Sequence, residues 1–276
     1  MTTHQQRHAL LFHDLHRPGT PLVLPNAWDA ASARIVASCG AAAVATTSAG
    51  VAWSLGRPDG DQLGREEALA AIGRIATVVT VPVSADIESG FGADPAGVAL
   101  TVGGVLATGA VGINIEDALV SGTDPLRPVD DQCARIGAAR EAADAAGVRL
   151  FVNARVDTYL REVGDPADRL AETLRRAAAY RAAGADGIFV PGVVDPAIVG
   201  ALVAGIDAPL NVLAGPGSPP IPVLAELGVA RVSLGSSIAQ AAYGLIHRAA
   251  TEALTQGSYG HIGDPLPYRD LNALSA

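Results

Sequence analysis

A closed (β/α)8 barrel, the TIM-type architecture of α/β proteins, is the fold that this sequence predicts, and three observations lead to it. First, apolar residues make up 49% of the chain and aromatic residues only 4%. The core must therefore be built from Ala, Val, Leu and Ile, which suits helices packed on parallel strands. Second, short β-rich runs alternate with longer segments of helical period. Third, there are eight such units in about 250 residues, which favours a closed barrel over an open sheet.

The elements follow one another in a regular order. We expect the eight strands at 22–25, 42–47, 81–86, 111–117, 150–155, 187–192, 209–215 and 231–236. The helices are expected near 29–39, 65–78, 95–108, 130–146, 166–183, 196–204, 220–227 and 236–255. These elements form one catalytic barrel domain over 21–256, with an N-terminal helical extension at 1–20 and a C-terminal tail at 257–276.

Local residue chemistry supports these boundaries. Asp94, Asp165 and Asp195 each precede a proline, and a capping carboxylate followed by proline is typical of a helix start. Glycines are expected where five of the helices stop and the next strand begins. They are Gly40, Gly109, Gly147, Gly184 and Gly228.

Charge and composition narrow the possible partners. The net charge of −9 comes without a basic stretch, which argues against binding to nucleic acid or an anionic membrane. No apolar run reaches the ~20 residues of a membrane span and the polar start does not resemble a secretory signal, so we expect a cytoplasmic protein. The sequence contains no Lys, which excludes Schiff-base and lysine-bound pyridoxal phosphate chemistry. Cys39 is expected to be a buried thiol at a helix end, and Cys133 to lie on a helix.

Acidic side chains gather at the predicted ends of strands three and four. Asp86 and Glu88 end one run, and Asn114, Glu116 and Asp117 end the next. The loops at the C-terminal ends of barrel strands build the active site, and strand alternation points Asp86 and Glu88 to one side. Carboxylates that converge there repel one another unless a cation compensates them. We therefore expect a hard divalent ion, Mg²⁺ or in its place Mn²⁺.

Structural roles remain open as alternatives. Asp86, Glu88 and Glu116 could instead pair with arginines on the barrel rim, although three acids at adjacent strand ends do little to stabilise a fold. Asp117 lies on the opposite face of its strand and is open to either role. Arg155, at the end of strand five, could be a structural partner of the acids, but we favour a bidentate contact with a substrate carboxylate.

Three segments, SADIESGFG (84–92), GINIEDA (112–118) and NARVDTY (153–159), lie at the ends of the predicted strands three, four and five. They resemble the metal motif, the strand-four motif and the strand-five motif of the isocitrate lyase/phosphoenolpyruvate mutase superfamily. Four further segments look like its mutase-like members: LPNAWDAASARI, TTSAGVAWSLGRPDG, PLNVLAGPG and RVSLGSSIAQAAYG. The resemblance covers roughly residues 20–250, and several ordered motifs together make it specific for the superfamily.

The resemblance implies a barrel whose last helix is swapped between subunits, giving a homodimer or homotetramer. It also implies binding of Mg²⁺ and of a small carboxylate, either a 2-oxo acid or a substituted malate. Asp86 would be the direct metal ligand, and Glu88, Glu116 and Asp59 would hold metal-bound water. Asp59, Glu116 and Arg155 are the expected catalytic residues. The expected substrate-binding residues are Ser48, Ala49, Gly50, Arg155 and Asn211.

The loop after strand four decides the reaction in such enzymes, and here it departs from the best-known members. It reads EDALVSGTDPLRPVDD, with no Cys, Lys or His, so isocitrate cleavage is not expected. The proton donor must be Ser121, Thr123, Asp124, a tyrosine or metal-bound water. The leading hypothesis is a Mg²⁺-dependent lyase that cleaves a C–C bond through an enolpyruvate-like intermediate. The alternatives are P–C chemistry, as a phosphonopyruvate hydrolase or mutase, and a non-catalytic protein that binds metal and an oxo acid.

Overall fold

The computed structural model describes residues 3–119 and 122–275. Within these ranges nine parallel strands form one nearly closed barrel, which confirms the predicted α/β TIM-type fold. The strands are β1 (Leu22–Leu24), β2 (Asn26–Ala27), β3 (Val44–Thr46), β4 (Val83–Asp86), β5 (Gly112–Glu116), β6 (Phe151–Arg155), β7 (Gly187–Val190), β8 (Leu210–Leu213) and β9 (Arg231–Ser233).

Helices surround the barrel in the order that the alternating pattern predicts. They are α1 (His4–Asp14), α2 (Ala30–Ser38), α3 (Ser48–Ser54), α4 (Arg65–Thr77), α5 (Pro95–Ala107), α6 (Val129–Ala145), α7 (Arg169–Ala182), α8 (Pro196–Gly205), α9 (Ile221–Glu226), α10 (Ser237–Thr255) and α11 (Tyr268–Ser275), with a 3₁₀ turn at Gly260–Ile262. The short helices α3 and α11 were not predicted from the sequence.

The strand predicted at 22–25 ends at Leu24, and a second strand that was not predicted, Asn26–Ala27, follows Pro25. Proline has no backbone N–H and cannot continue a ladder, so β1 pairs with β9 while β2 pairs with β3. The side chain of Asn26 joins the two sides of this break. Its Nδ2 donates to the Thr46 carbonyl at 2.9 Å, and its Oδ1 accepts from the backbone N–H groups of Leu234 and Gly235 at 3.0 and 2.9 Å.

Most of the predicted helix boundaries hold, with one exception. Asp94 and Asp195 cap α5 and α8, each accepting a backbone N–H at 2.8 Å. Asp165 was wrongly predicted to start α7. Its carboxylate accepts from Ala167 at 2.8 Å within a separate turn, and α7 begins only at Arg169. All five predicted stop glycines have positive φ, between 68° and 110°, a region that glycine adopts without steric cost.

Helix α1 covers the N-terminal end of the barrel. Phe12 is completely buried and meets the Phe151 ring edge-on at 5.7 Å, and His16 stacks on the same ring at 3.9 Å. Burial lowers the pKa of His16 to about 3, so this imidazole is neutral. The N-terminal helix therefore covers one end of the barrel, and a catalytic site would lie at the other end.

Two further sequence predictions can be compared with the structure. Cys39, which was expected to be buried, is exposed at the C-cap of α2. Cys133 lies on α6 as predicted and is half-buried, and burial raises the pKa of its thiol. Among residues 3–119 and 122–275, no helix is both long and apolar enough to cross a membrane.

Candidate active site

An opening of about 300 Å³ lies at the C-terminal ends of the strands, where barrel active sites are found. Five of the predicted site residues line it, together with three that the sequence did not indicate. The lining residues are Ser48, Asp59, Gly60, Glu88, Glu116, Arg155, Leu160 and Arg161. Of the strand-end acids predicted to converge, Glu88 and Glu116 line this opening and Asp86 does not.

Asp86 lies at the end of β4 and lines a small cavity that shares Ser48 and Glu88 with this opening. Its backbone N–H donates to Thr46 Oγ1 at 2.8 Å. Its carboxylate accepts from two backbone N–H groups, Ser48 to Oδ2 and Glu88 to Oδ1, both at 3.3 Å. Burial raises the pKa of Asp86, Arg155 lowers it and the Asp59 carboxylate raises it further. In the described parts of the chain no arginine forms an ion pair with Asp86.

Glu88 follows two residues later in a strained backbone conformation. Its φ is 51°, which is uncommon for a residue with a side chain and is often found at functional sites. The side chain is 2% exposed and accepts a short hydrogen bond from the backbone N–H of Asp61. Burial raises the pKa of Glu88 to about 7; the Asp61 N–H opposes this shift, and the carboxylates of Asp86, Asp61 and Asp59 add to it.

Glu116 and Arg155 face each other across neighbouring strands, since they are register partners of β5 and β6. Arg155 Nη1 lies 2.5 Å from Glu116 Oε2, while its Nε and Nη2 donate to Asp157 at 2.6 and 2.8 Å. Burial raises the pKa of Glu116 and Arg155 opposes that shift. The structural role that the sequence left open for Arg155 is thus present. Substrate binding by the remaining N–H groups of Arg155 stays a prediction.

The acids at the opening agree in chemistry with a magnesium site. In the described ranges no three His, Cys, Asp or Glu side chains lie close enough to hold a metal on their own. Mg²⁺, however, keeps several waters and needs only one or two direct carboxylates, with other acids binding those waters. Burial raises the pKa values of Asp86, Glu88 and Glu116, and Arg155 opposes that shift at Asp86 and Glu116. This oxygen-only donor set fits the ion.

Asp117 points away from the opening and has a structural environment. It is completely buried, and its Oδ2 accepts from Tyr180 Oη at 2.7 Å and from Arg176 Nη1 at 3.0 Å. Its Oδ1 accepts from the backbone N–H of Asp157 at 2.9 Å. Asp117 therefore connects α7 to the residue that holds Arg155.

A buried polar layer fills the barrel beneath the acids. Asn211, a predicted substrate-binding residue, lies in this layer and does not line the opening. Its Oδ1 accepts from Ser233 Oγ at 3.2 Å. Arg231 is 0% exposed and donates to Asn114 Oδ1 and to Ser233 Oγ, both at 3.3 Å. Burial lowers the pKa of Arg231 to about 9, and the Asp86 carboxylate opposes that shift.

The other predicted residues take varied positions. Ala49 and Gly50 are buried in the first turn of α3 behind Ser48, and a Cβ atom at Gly50 would lie 2.8 Å from Trp28 Cβ. Of the candidate proton donors, Thr123 and Asp124 are exposed and do not line the opening. Ser121 lies outside the described residues.

Sequence reasoning missed Leu160, Arg161, Asp61 and Arg231. Asp61 carried a signal, because it ends the turn sequence Pro-Asp-Gly-Asp and Asp tolerates a left-handed backbone. Its φ is 55°. Arg231 carried none, since a single arginine at the start of a strand usually lies at the rim. Leu160 and Arg161 follow NARVDTY, where no residue spacing marks a site.

A larger cavity of about 520 Å³ opens at the other end of the barrel. It lies beside α1 and α2 and is lined mainly by apolar or small residues, with Asp14 as its single acid. Barrel enzymes carry their chemistry at the opposite, C-terminal face. The smaller, charged opening is therefore the candidate active site.

Comparison with known proteins agrees with this geometry. The family model described as phosphoenolpyruvate phosphomutase matches residues 12–254. A crystal structure of a Burkholderia cenocepacia J2315 protein, provisionally assigned as a lyase or mutase, is 41% identical with a TM-score of 0.91, covering 99% of this chain and 97% of that one. The 2-methylisocitrate lyase of Escherichia coli K12 is 29% identical over 211 residues, which are 71% of this chain and 69% of that enzyme.

A third similarity is to an enzyme whose structure contains a metal ion. A phosphonopyruvate hydrolase whose structure contains oxalate and Mg²⁺ is 25% identical with a TM-score of 0.81, covering all of this chain and 95% of that one. Relatives thus include C–C lyases and P–C enzymes, and at least one of them binds Mg²⁺. The family match spans most of the sequence and includes every strand of the barrel. The chain belongs to the phosphoenolpyruvate phosphomutase family, within the isocitrate lyase/phosphoenolpyruvate mutase superfamily.

Proposed function

We propose that the protein is a Mg²⁺-dependent lyase that cleaves a C–C bond of a 2-oxo acid or substituted malate and releases a pyruvate-like fragment. One observation carries the proposal: Glu88, Glu116 and Arg155 line one opening, and Asp86 lines a small cavity that shares Ser48 and Glu88 with it. Acids that can hold a divalent ion and a cation that can bind a carboxylate are what such a reaction requires. The similarity to 2-methylisocitrate lyase supports the same reaction class.

The acidic residues would have different roles at the metal ion. Asp86 would hold the ion directly, with Glu88, Glu116 and Asp59 binding its waters. In a 2-oxo acid such as oxaloacetate the electron pair of the broken C–C bond would stay on the pyruvate-like fragment as an enolate while CO2 leaves. In a substituted malate the hydroxyl would lose its proton and become the pyruvate carbonyl, and the electron pair would pass to the other carboxylate fragment as its enolate, which then takes up a proton. A bound Mg²⁺ would supply Lewis-acid stabilisation of the negative charge that develops. Arg155 adds a fixed positive charge at the same opening.

Ser48 would contribute both its backbone N–H and its side-chain hydroxyl. Its backbone N–H donates to Asp86 Oδ2 and so orients that carboxylate. Ser48 also lines the opening, where its hydroxyl would be available to a substrate carboxylate. Thr123 and Asp124 would have to approach from the exposed strand-four loop to donate a proton. Metal-bound water remains the donor that needs no such movement.

The experiment compares oxaloacetate, substituted malates and phosphonopyruvate as substrates, each with Mg²⁺. Pyruvate release from a malate-type substrate supports the lyase. Phosphate release from phosphonopyruvate would favour P–C chemistry, the second candidate, which the similarity to phosphonopyruvate hydrolase motivates. Asp86→Asn and EDTA-treated protein are the controls, and full activity in either would refute the mechanism. Binding of Mg²⁺ and oxalate without turnover of any substrate would indicate a non-catalytic binding protein.

The same proposal includes a homodimer or homotetramer that exchanges α10 between subunits. Leu245, Ile246 and Leu254 on that helix are exposed, as are Tyr259 and Tyr268 after it, and a set of exposed large apolar side chains in one segment is typical of an interface. Light scattering after gel filtration measures the assembly. We place the enzyme in the cytoplasm, where the free thiols of Cys39 and Cys133 would stay reduced.

A further inference from the structure

The loop after β6 is a compact turn that reaches the rim of the candidate active site. Its backbone is closed by three hydrogen bonds, from Arg161 N to Asp157 O at 2.9 Å, from Glu162 N to Tyr159 O at 3.1 Å and from Val163 N to Thr158 O at 2.9 Å. Asp157 and Thr158 are completely buried. The turn is thus anchored at its base, and its far side faces the opening.

Packing from a neighbouring loop fixes the same turn from outside. Gly192 approaches so closely that a Cβ atom there would lie 2.8 Å from Leu160 N and 2.9 Å from Leu160 Cα. The Arg169 guanidinium lies over the Tyr159 ring at 5.8 Å, and its Nε donates to the Val163 carbonyl at 3.2 Å. Leu160 and Arg161 are therefore held at the opening by a rigid backbone.

The two arginines that line the opening differ in their partners. Arg155 is compensated, because Asp157 binds its Nε and Nη2 and Glu116 binds its Nη1. Arg161 is exposed and forms no ion pair with any residue in the described ranges. The acids Asp59, Glu88 and Glu116 line the same opening. A ligand in this space thus meets a group of carboxylates and one uncompensated guanidinium.

We propose that Arg161 is a specificity-determining residue that binds a second carboxylate of the substrate, so that the site selects dicarboxylates over monocarboxylates of equal length. This inference rests on the proposed function, in which the oxo-acid or hydroxy-acid end of the substrate occupies the acidic side of the opening. The other carboxylate then lies toward Arg161. Guanidinium and carboxylate groups form charge-assisted and often bidentate hydrogen bonds. A cavity of about 300 Å³ is large enough for an acid of a few carbons.

The test uses malate and 2-hydroxybutyrate, which have the same four carbons and differ only in a carboxylate for a methyl group. Binding to the Mg²⁺-loaded full-length protein is measured by calorimetry, with oxalate as a ligand too short to use both ends of the site. We expect malate to bind about tenfold more tightly than 2-hydroxybutyrate, the size expected for a hydrogen bond between charged groups. Arg161→Gln should abolish this preference, and Arg161→Lys should restore part of it. Oxalate affinity should stay unchanged in both variants.

Arg57→Gln is the matched control, because Arg57 is also exposed but does not line the opening. An equal loss of malate preference in Arg57→Gln would assign the effect to general charge and overturn the inference. So would a malate preference that survives in Arg161→Gln while oxalate still binds. If oxalate fails to bind the wild-type protein with Mg²⁺, the proposed function itself is wrong and the inference falls with it. Circular dichroism confirms that each variant is folded.

Discussion

Asp157 binds Arg155 through both carboxylate oxygens, with 2.6 Å between Oδ1 and Nε and 2.8 Å between Oδ2 and Nη2. This contact occupies the edge of the guanidinium that most often binds carboxylates in a bidentate manner. A substrate must therefore use the N–H groups of Nη1 and Nη2 that remain. Asp157 thus decides which way Arg155 faces, although it does not itself line the opening.

The first prediction concerns this orientation. Asp157→Asn keeps the shape of the side chain but removes its charge and one of its two acceptors, so Arg155 should lose its fixed position. We expect a fall of about tenfold or more in oxalate affinity with Mg²⁺, in line with the loss of a hydrogen bond between charged groups. Calorimetry measures this. Asp130→Asn, which changes an exposed acid on α6, is the control. Unchanged oxalate affinity in Asp157→Asn would show that Arg155 needs no such support.

The second prediction concerns pH and the metal. Glutamate ordinarily ionises near pH 4.5, whereas the pKa of buried Glu88 is about 7. Between these values the folded, metal-free protein holds a proton that the unfolded chain has released, so the free energy of unfolding falls as pH rises. A bound divalent ion would offset the electrostatic cost of ionising the buried Glu88 carboxylate. Mg²⁺ should therefore raise the melting temperature more at pH 8 than at pH 5.

Thermal unfolding with and without Mg²⁺ at both pH values provides the measurement. In Glu88→Gln the side chain no longer titrates, and the decline of metal-free stability across this window should become shallower. An identical Mg²⁺ increment at pH 5 and pH 8 in the wild-type protein would contradict the assignment.

The third prediction separates a structural from a catalytic role for Asp117. Tyr180→Phe removes one hydrogen bond to this buried carboxylate and should lower the free energy of unfolding by about 1–3 kcal/mol. Asp117→Ala removes the buried carboxylate that accepts from Tyr180, Arg176 and the Asp157 N–H, while Arg176 keeps its ion pair with Glu172. This change should lower the free energy of unfolding by about 3–5 kcal/mol. Urea denaturation gives both values. Tyr180→Phe should keep wild-type oxalate affinity, and a large loss there would mean that Asp117 acts on the site directly.

The fourth prediction tests the close approach at Gly192. Gly192→Ala and Gly217→Ala place a side chain at φ values of 86° and 90°, so both carry a left-handed backbone cost of about 1–2 kcal/mol. Only Gly192→Ala also meets backbone atoms, since nothing lies within 4 Å of a Cβ at Gly217. We expect Gly192→Ala to be the more destabilising by about 1–3 kcal/mol in urea denaturation. Equal losses in the two variants would show that the turn at Leu160 can move aside.

The sequence predicts the fold well because its signals are local. Asp94 and Asp195 stand at real helix starts and all five stop glycines have positive φ. Asp165 fails as a helix start because the chain makes a separate turn before α7, in which Arg169 contacts Val163 and Tyr159. Pro25 could have been interpreted as a break, since proline interrupts a ladder wherever it occurs inside one.

The site residues also differ in whether local sequence could predict them. Strand alternation and the motifs found the acids and Arg155, because they occupy strand ends in adjacent register. The role of Asp117 was decided by Tyr180 and Arg176, more than fifty residues away in the chain. Arg161 is placed by a turn that depends on Gly192, and no pattern in a single sequence connects those two positions.

The break at Pro25 has a consequence for how the protein is made. The wall of the barrel is completed there by the Asn26 side chain, whose Oδ1 contacts residues 234 and 235. A nascent chain on the ribosome contains Asn26 early but lacks these partners until nearly all of the barrel has been translated. Until then, β1 has no β9 beside it and remains a bare sheet edge that other chains could join. We therefore expect truncation before residue 231 to yield aggregating protein rather than a smaller folded unit.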